Sequence, residues 1–133
     1  MALPPYYPYR SAQAKSEYLA SYDRIADDWP APAESRMIST SWGETLVRIN
    51  GPASAPPLVL LPGINTSSLL WQPNIPVLSA GYRTYAVDRA GDIGRSTCTR
   101  PMANLNDILS WLDELLTALD PANPVRLVGC GRW

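Results

Sequence analysis

A strand-like run, Val125-Arg126-Leu127-Val128, leads into Gly129-Cys130-Gly131, a thiol flanked by glycines at a turn. Such a turn can present a nucleophile. A thiol serves as one when a helix N-terminus or a cation lowers its pKa, or when a base takes its proton. Arg132 offers a charge, but the 133 residues contain no histidine, and imidazole is the usual base because it titrates near neutrality. Cys130 therefore reads as an inert thiol. A second candidate is the loop Pro62-Gly63-Ile64-Asn65-Thr66-Ser67-Ser68, which comes after an apolar run. The carboxyl ends of strands are where open α/β sheets place ligands, and a backbone N–H there can face a developing oxyanion. The loop lacks the Gly-Lys-Ser/Thr of a phosphate cradle. A third is Asp88-Arg89-Ala90-Gly91-Asp92-Ile93-Gly94-Arg95-Ser96. Asp88 and Asp92 are of the type that does acid–base work, although aspartate after a strand more commonly caps its own loop. Gly91 and Gly94 do not make a dinucleotide fingerprint, because the third glycine and the helix opening on it are missing.

The elements that must hold these loops are set by periodicity. Prolines make residues 3–9 an extended arm, unable to start a helix or a central strand. Residues 11–29 form an amphipathic helix with Tyr18, Leu19, Tyr22, Ile25 and Ala26 at helical spacing and Ser11 as cap. Strands come next at 36–41 and 44–50, joined through Trp42-Gly43; the second alternates as a half-buried antiparallel strand would. Leu58-Val59-Leu60-Leu61 is apolar on both faces, the signature of an interior parallel strand. A helix at 69–78 is interrupted by Pro73 and Pro76, and a strand occupies 83–88. The clearest helix spans 105–119, with Leu105, Ile108, Leu109, Leu112, Leu115, Leu116 and Leu119 in one stripe and Asn104 as cap. The order strand, loop, helix, strand from residue 58 onward predicts an α/β sheet with right-handed crossovers.

Composition bounds the function. A hydrophobic content of 46% with 17% charged residues suits a folded domain, and 133 residues suit one domain at most. The expected division is an N-terminal arm and helix over 1–33 and a core over 34–133. Eleven Lys and Arg against twelve Asp and Glu leave a net charge of −1 and no basic cluster, which excludes nucleic-acid binding as the expectation. Cys98 and Cys130, 32 positions apart, match neither a zinc site nor a disulfide framework and read as buried or idle thiols, so no metal is expected. The N-terminus has no secretory core, and no apolar run is long enough to span a bilayer, so the expectation is a cytoplasmic protein without membrane partners.

Taken in order, the segments "SEYLASYDRIADDWP", "TSWGETLVRINGPASAPPLVLLPG", "SSLLWQPNIPVLSAGYRTYAVDRAGDIGRS", "WLDELLTALD" and "VRLVG" resemble the α/β-hydrolase fold family, in its bacterial esterase-like branch. The resemblance runs from about residue 10 to residue 129 and covers the N-terminal half of such a fold: an antiparallel hairpin plus parallel strands with crossover helices. It implies that Ile64, the residue after Gly63, gives an oxyanion-hole N–H, with Pro62 where many members carry His. Asn65, Gly91 and Asp92 then lie in loops near the site. The resemblance further implies a Gly-x-Ser-x-Gly elbow after the fifth strand. Gly129 and Cys130 match its first two positions, but Gly131 stands where the serine should be, and the acid and the His have no counterpart. The resemblance therefore implies a fragment of a serine hydrolase, truncated or frameshifted and inactive alone. Such a fragment needs no cofactor and takes a small acyl substrate only when completed by the missing half. The last strand would be an apolar edge inviting self-association. The competing expectation is a non-enzymatic interaction module that binds through this edge and the Pro/Tyr-rich arm; a cysteine enzyme using Cys130 ranks last.

Overall fold

Leu58 to Leu61 are all buried in the computed structural model, which describes residues 3–119, 121 and 124–131. They belong to β3 (Pro57–Leu61), which runs parallel to β4 (Arg83–Val87) on one side and β5 (Arg126–Gly129) on the other. An antiparallel hairpin, β1 (Glu34–Thr40) and β2 (Gly43–Asn50), joins the sheet through β2 against β4, giving the order β1-β2-β4-β3-β5. The mixed α/β sheet matches the architecture expected from the sequence.

Helices cover the two faces. On one, α3 (Leu105–Leu119) lays Trp111, Leu115 and Leu119 against Val47, Ile49, Val59, Tyr85 and Val87. On the other, a 3-10 segment (Ser68–Asn74) and α2 (Ile75–Gly81) cover Leu58, Leu60 and Ala86 with Ile75, Trp71 and Leu78. The interruption expected at the prolines is this change from 3-10 to α-helix. The N-terminal helix, α1 (Ala12–Ala26), begins at Ser11, whose side chain accepts from Ala14 N at 3.0 Å, and buries Tyr22. It stops at Ala26, short of the residue 29 expected.

Three local expectations need correction. Residues 4–9 are not extended: Tyr7 N donates to Pro4 O and Tyr9 N to Tyr6 O, so the arm winds in successive turns against the domain. Strand β2 is not half-buried. Its polar members Thr45, Arg48 and Asn50 are buried along with Leu46, Val47 and Ile49, because α3 packs on one face and α1 on the other. The leucine stripe of α3 overstates its core face: Leu105 and Leu109 are exposed, while Trp111 is fully buried and donates from Nε1 to Thr45 Oγ1 at 2.9 Å. Of the two thiols expected to be buried or idle, Cys98 is partly buried and Cys130 exposed. The Asn104 cap is present, accepting from Asp107 N at 3.0 Å.

Candidate functional site

Strands β3 and β5 end side by side, with Leu61 in register with Gly129. The loops that leave them therefore meet at one end of the sheet. Gly63 lies against the backbone of Cys130 and Gly131, so closely that a methyl group built on it would collide with the Cys130 carbonyl. Only glycine permits this approach of two backbones. Gly131 has a φ of +78°, in the left-handed region, and turns the chain sharply after β5. Arg132 lies outside the described residues.

The loop after β3 is held by side chains of the loop after β4. Asp92 accepts from Asn65 N at 2.9 Å through one oxygen and from Ile93 N at 2.7 Å through the other. Asp88 accepts from Ser68 N at 2.7 Å. Within the loop, the Thr66 hydroxyl donates to Gly63 O at 2.5 Å and Thr66 N to the same oxygen at 3.2 Å, closing a turn in which Asn65 takes a φ of +61°. Asparagine tolerates that conformation better than most residues. Ile64 at the tip is half exposed, and among the described residues no group accepts from its N–H. Among the described residues this leaves a backbone donor unpaired, next to Gly63 at the β5 turn.

Asp88 is the anchor beneath the loop. It is fully buried, and besides Ser68 N its carboxylate accepts from Tyr22 OH at 2.6 Å and Arg95 N at 2.8 Å. Tyr22 in turn accepts from Arg48 Nη2 at 2.6 Å, and Arg48 Nε donates to Ser68 Oγ at 3.2 Å. The Arg48 guanidinium also stands 5.4 Å from the Tyr22 ring and 5.3 Å from the Trp29 ring. Buried charges persist when paired and hydrogen-bonded, and Arg48 with Asp88, bridged by Tyr22, satisfies that condition. Gly91 stands in the same loop with a φ of +81°. Gly94 completes the cradle: with a φ of +134°, a Cβ there would come within 2.6 Å of an Asp88 oxygen. Neither aspartate is placed for acid–base work, since both are engaged by backbone N–H groups. Arg48 and Tyr22 were not among the site residues expected from the sequence. The only trace of Arg48 was a charged residue between the apolar Val47 and Ile49 of its strand.

Burial holds the Tyr22 phenol well above the ordinary tyrosine range, with the Asp88 carboxylate pushing the same way and Arg48 opposing. Burial also raises Tyr9 and Tyr18. A phenol whose folded pKa exceeds its unfolded value binds a proton more tightly when folded. Its stabilising contribution is whole below the unfolded pKa of about 10 and is lost as pH rises above it. Thermal melts followed through the alkaline range are expected to show a falling midpoint, with a shallower fall in Tyr22→Phe; an equally steep fall would exclude Tyr22 as the cause.

The remaining thiol, Cys98, donates to Arg100 O at 2.7 Å, and burial pushes its pKa up, which makes it a poor nucleophile. Among the described residues no group of three or more His, Cys, Asp or Glu is placed to hold a metal ion, and no helix is long and apolar enough to cross a membrane.

Comparison with known proteins shows what the chain resembles. The chain is 43% identical over 102 residues to the uncharacterized carboxylesterase nap of Bacillus subtilis, an alignment covering 77% of the chain and 34% of the relative. It is 33% identical over 111 residues to carboxylesterase YbfK of the same organism, covering 84% of the chain and 38% of the relative. The crystal structure of the B. subtilis naproxen esterase (carboxylesterase NP) superposes with a TM-score of 0.81 at 37% identity, over 92% of this chain and 42% of that one. The chain thus spans only about a third to two fifths of the length of these relatives. No family model matches it.

Proposed function

Because the chain belongs to the α/β-hydrolase fold family, of which it carries the N-terminal part, we propose that it supplies the oxyanion half of a carboxylesterase site whose nucleophile and base come from the rest of the fold. The observation that carries this reading is the Ile64 N–H, unpaired among the described residues, beside the turn after β5. In ester hydrolysis a nucleophile attacks the acyl carbon and the carbonyl oxygen takes up negative charge. A backbone donor fixed before the reaction stabilises that charge without reorganising, which is why such donors lower the barrier. Ile64 N–H is such a donor, carried by a residue that is half exposed. The carboxylesterase relatives favour an ester over other acyl compounds. Fold likeness alone would not, since this scaffold hosts many reactions.

The test is to join this chain to the portion of carboxylesterase nap that lies beyond its matching segment. Hydrolysis of a short-chain nitrophenyl ester by the joined protein is expected. A well-folded joined protein without turnover would overturn the reading.

We also infer self-association through the edge strand. Leu127 and Val128 of β5 are 48% and 38% exposed, and among the described residues β5 pairs on one side only. An exposed apolar edge offers unpaired N–H and C=O groups to another chain. Sedimentation velocity is expected to show concentration-dependent dimers, and Leu127→Lys is expected to shift them to monomer. A monomer at every concentration would refute this. In the Pro/Tyr arm, Tyr9 OH accepts from Gly94 N at 3.0 Å and donates to Gly94 O at 3.2 Å, which ties its end to the loop after β4.

A further inference from the structure

We propose that Asp92 is a positioning residue, whose carboxylate fixes the loop after β3 so that the N–H of Ile64, rather than that of Asn65, is the one left for an oxyanion. The inference rests on Ile64 as the oxyanion donor and extends that role to a residue that never meets substrate. Three observations carry it. Asp92 is 7% exposed, and both its oxygens are occupied by backbone donors, one in its own loop and one in the neighbouring loop. Its partner in that loop, Asn65, has the left-handed backbone that reverses the chain just after Ile64. Three residues further on, Ser68 N is taken by Asp88, so the two amides that bracket the loop's far half are both captured by carboxylates from the β4 side.

The division of labour is physical. A hydrogen bond to a charged acceptor is shorter and stronger than one between neutral groups. Holding Asn65 N this way fixes the Ile64–Asn65 peptide, and through it limits how far the preceding Gly63–Ile64 peptide, which carries the Ile64 N–H, can turn from the β5 side. The Thr66 hydroxyl and amide on Gly63 O brace the other side of the same turn. Asp88 carries the buried anchor; Asp92 sets the tip.

The test uses the chain as it stands, labelled with nitrogen-15, with amide exchange followed residue by residue. In Asp92→Ala, Asn65 N–H is expected to exchange about ten- to a hundredfold faster, the loss expected of one charge-assisted hydrogen bond. Ser68 and the β3 amides are expected to keep their rates. Asp92→Asn, which retains an acceptor oxygen of the same shape, is expected to restore most of the protection. Unchanged exchange at Asn65 in Asp92→Ala would overturn the proposal. So would a rise shared equally by Ser68 and β3, which would mean general loosening. In the protein joined to the nap segment, Asp92→Ala is expected to lower kcat with KM held, and Asp92→Asn to recover part of it; equal kcat in wild type and Asp92→Ala would also overturn the role. Absence of hydrolysis in the joined wild type would count against the esterase reading instead, with the exchange rates still deciding what Asp92 does to the loop.

Discussion

Purified chain alone is expected to hydrolyse nitrophenyl acetate at the rate of buffer. Loss of a catalytic serine or histidine costs a serine protease on the order of a million-fold in kcat. What remains in such an enzyme, from its oxyanion donors and binding pocket together, is about a thousand- to ten-thousandfold over water. This chain has one candidate donor, Ile64 N–H, no histidine, and Gly131 in the turn after β5. A single donor is worth about a hundred- to a thousandfold only when the attacking group is already in place, and here nothing attacks. Cys130 does not rescue the reaction, because the chain has no imidazole to take its proton. Steady turnover abolished by Cys130→Ala would contradict this account.

Replacing Asp88 by alanine is expected to cost about 3–5 kcal/mol, because it leaves three donors without their acceptor and an unsatisfied buried polar group costs about 1–3 kcal/mol. Ser68 N, Arg95 N and the Tyr22 hydroxyl would lose their acceptor, and the Arg48 guanidinium would be left with no compensating carboxylate beneath it. Domains of this size are stable by about 5–15 kcal/mol in all, so the variant should lie near the edge of folding. Asp88→Asn, which keeps an acceptor oxygen, should fall between. The exposed Arg36–Glu34 pair is the control: its charges are solvated and screened, and its removal should leave the urea midpoint where it was. Urea denaturation of the three variants side by side decides the matter. An Asp88→Ala midpoint equal to that of the control would mean that the network contributes no stability.

Much of the scaffold was readable from residue order because its signals are local. The apolar run 58–61, Ser11 and Asn104 before helical periodicity, and Trp42-Gly43 between two strand patterns each announce an element within a few residues. What escaped was decided at a distance. Periodicity made Leu105 and Leu109 core residues, yet α3 ends up turned so that Trp111 faces the sheet, a choice made by the Thr45 hydroxyl 66 positions away in sequence. Arg48 in a strand is hydrophilic on any scale, and only the approach of α1, bringing Tyr22, makes its burial tolerable. The site loops obeyed the same division. Their position after strands could be inferred from the flanking pattern. That Asp88 and Asp92 would serve as hydrogen-bond acceptors for the adjacent loop, and not as proton carriers, required knowing which loop lies beside which.

The contact of Gly63 with the Cys130 backbone ties two strand tips into one fixed gap. Because no side chain intervenes, the separation of any donor on the first tip from any attacking group on the second is governed by bare backbone. A wedge as small as a methyl group at this spot would spread the tips and, on the proposed esterase reading, widen the mouth that admits the acyl group. Substrate fit would then suffer from a substitution that removes no reactive atom.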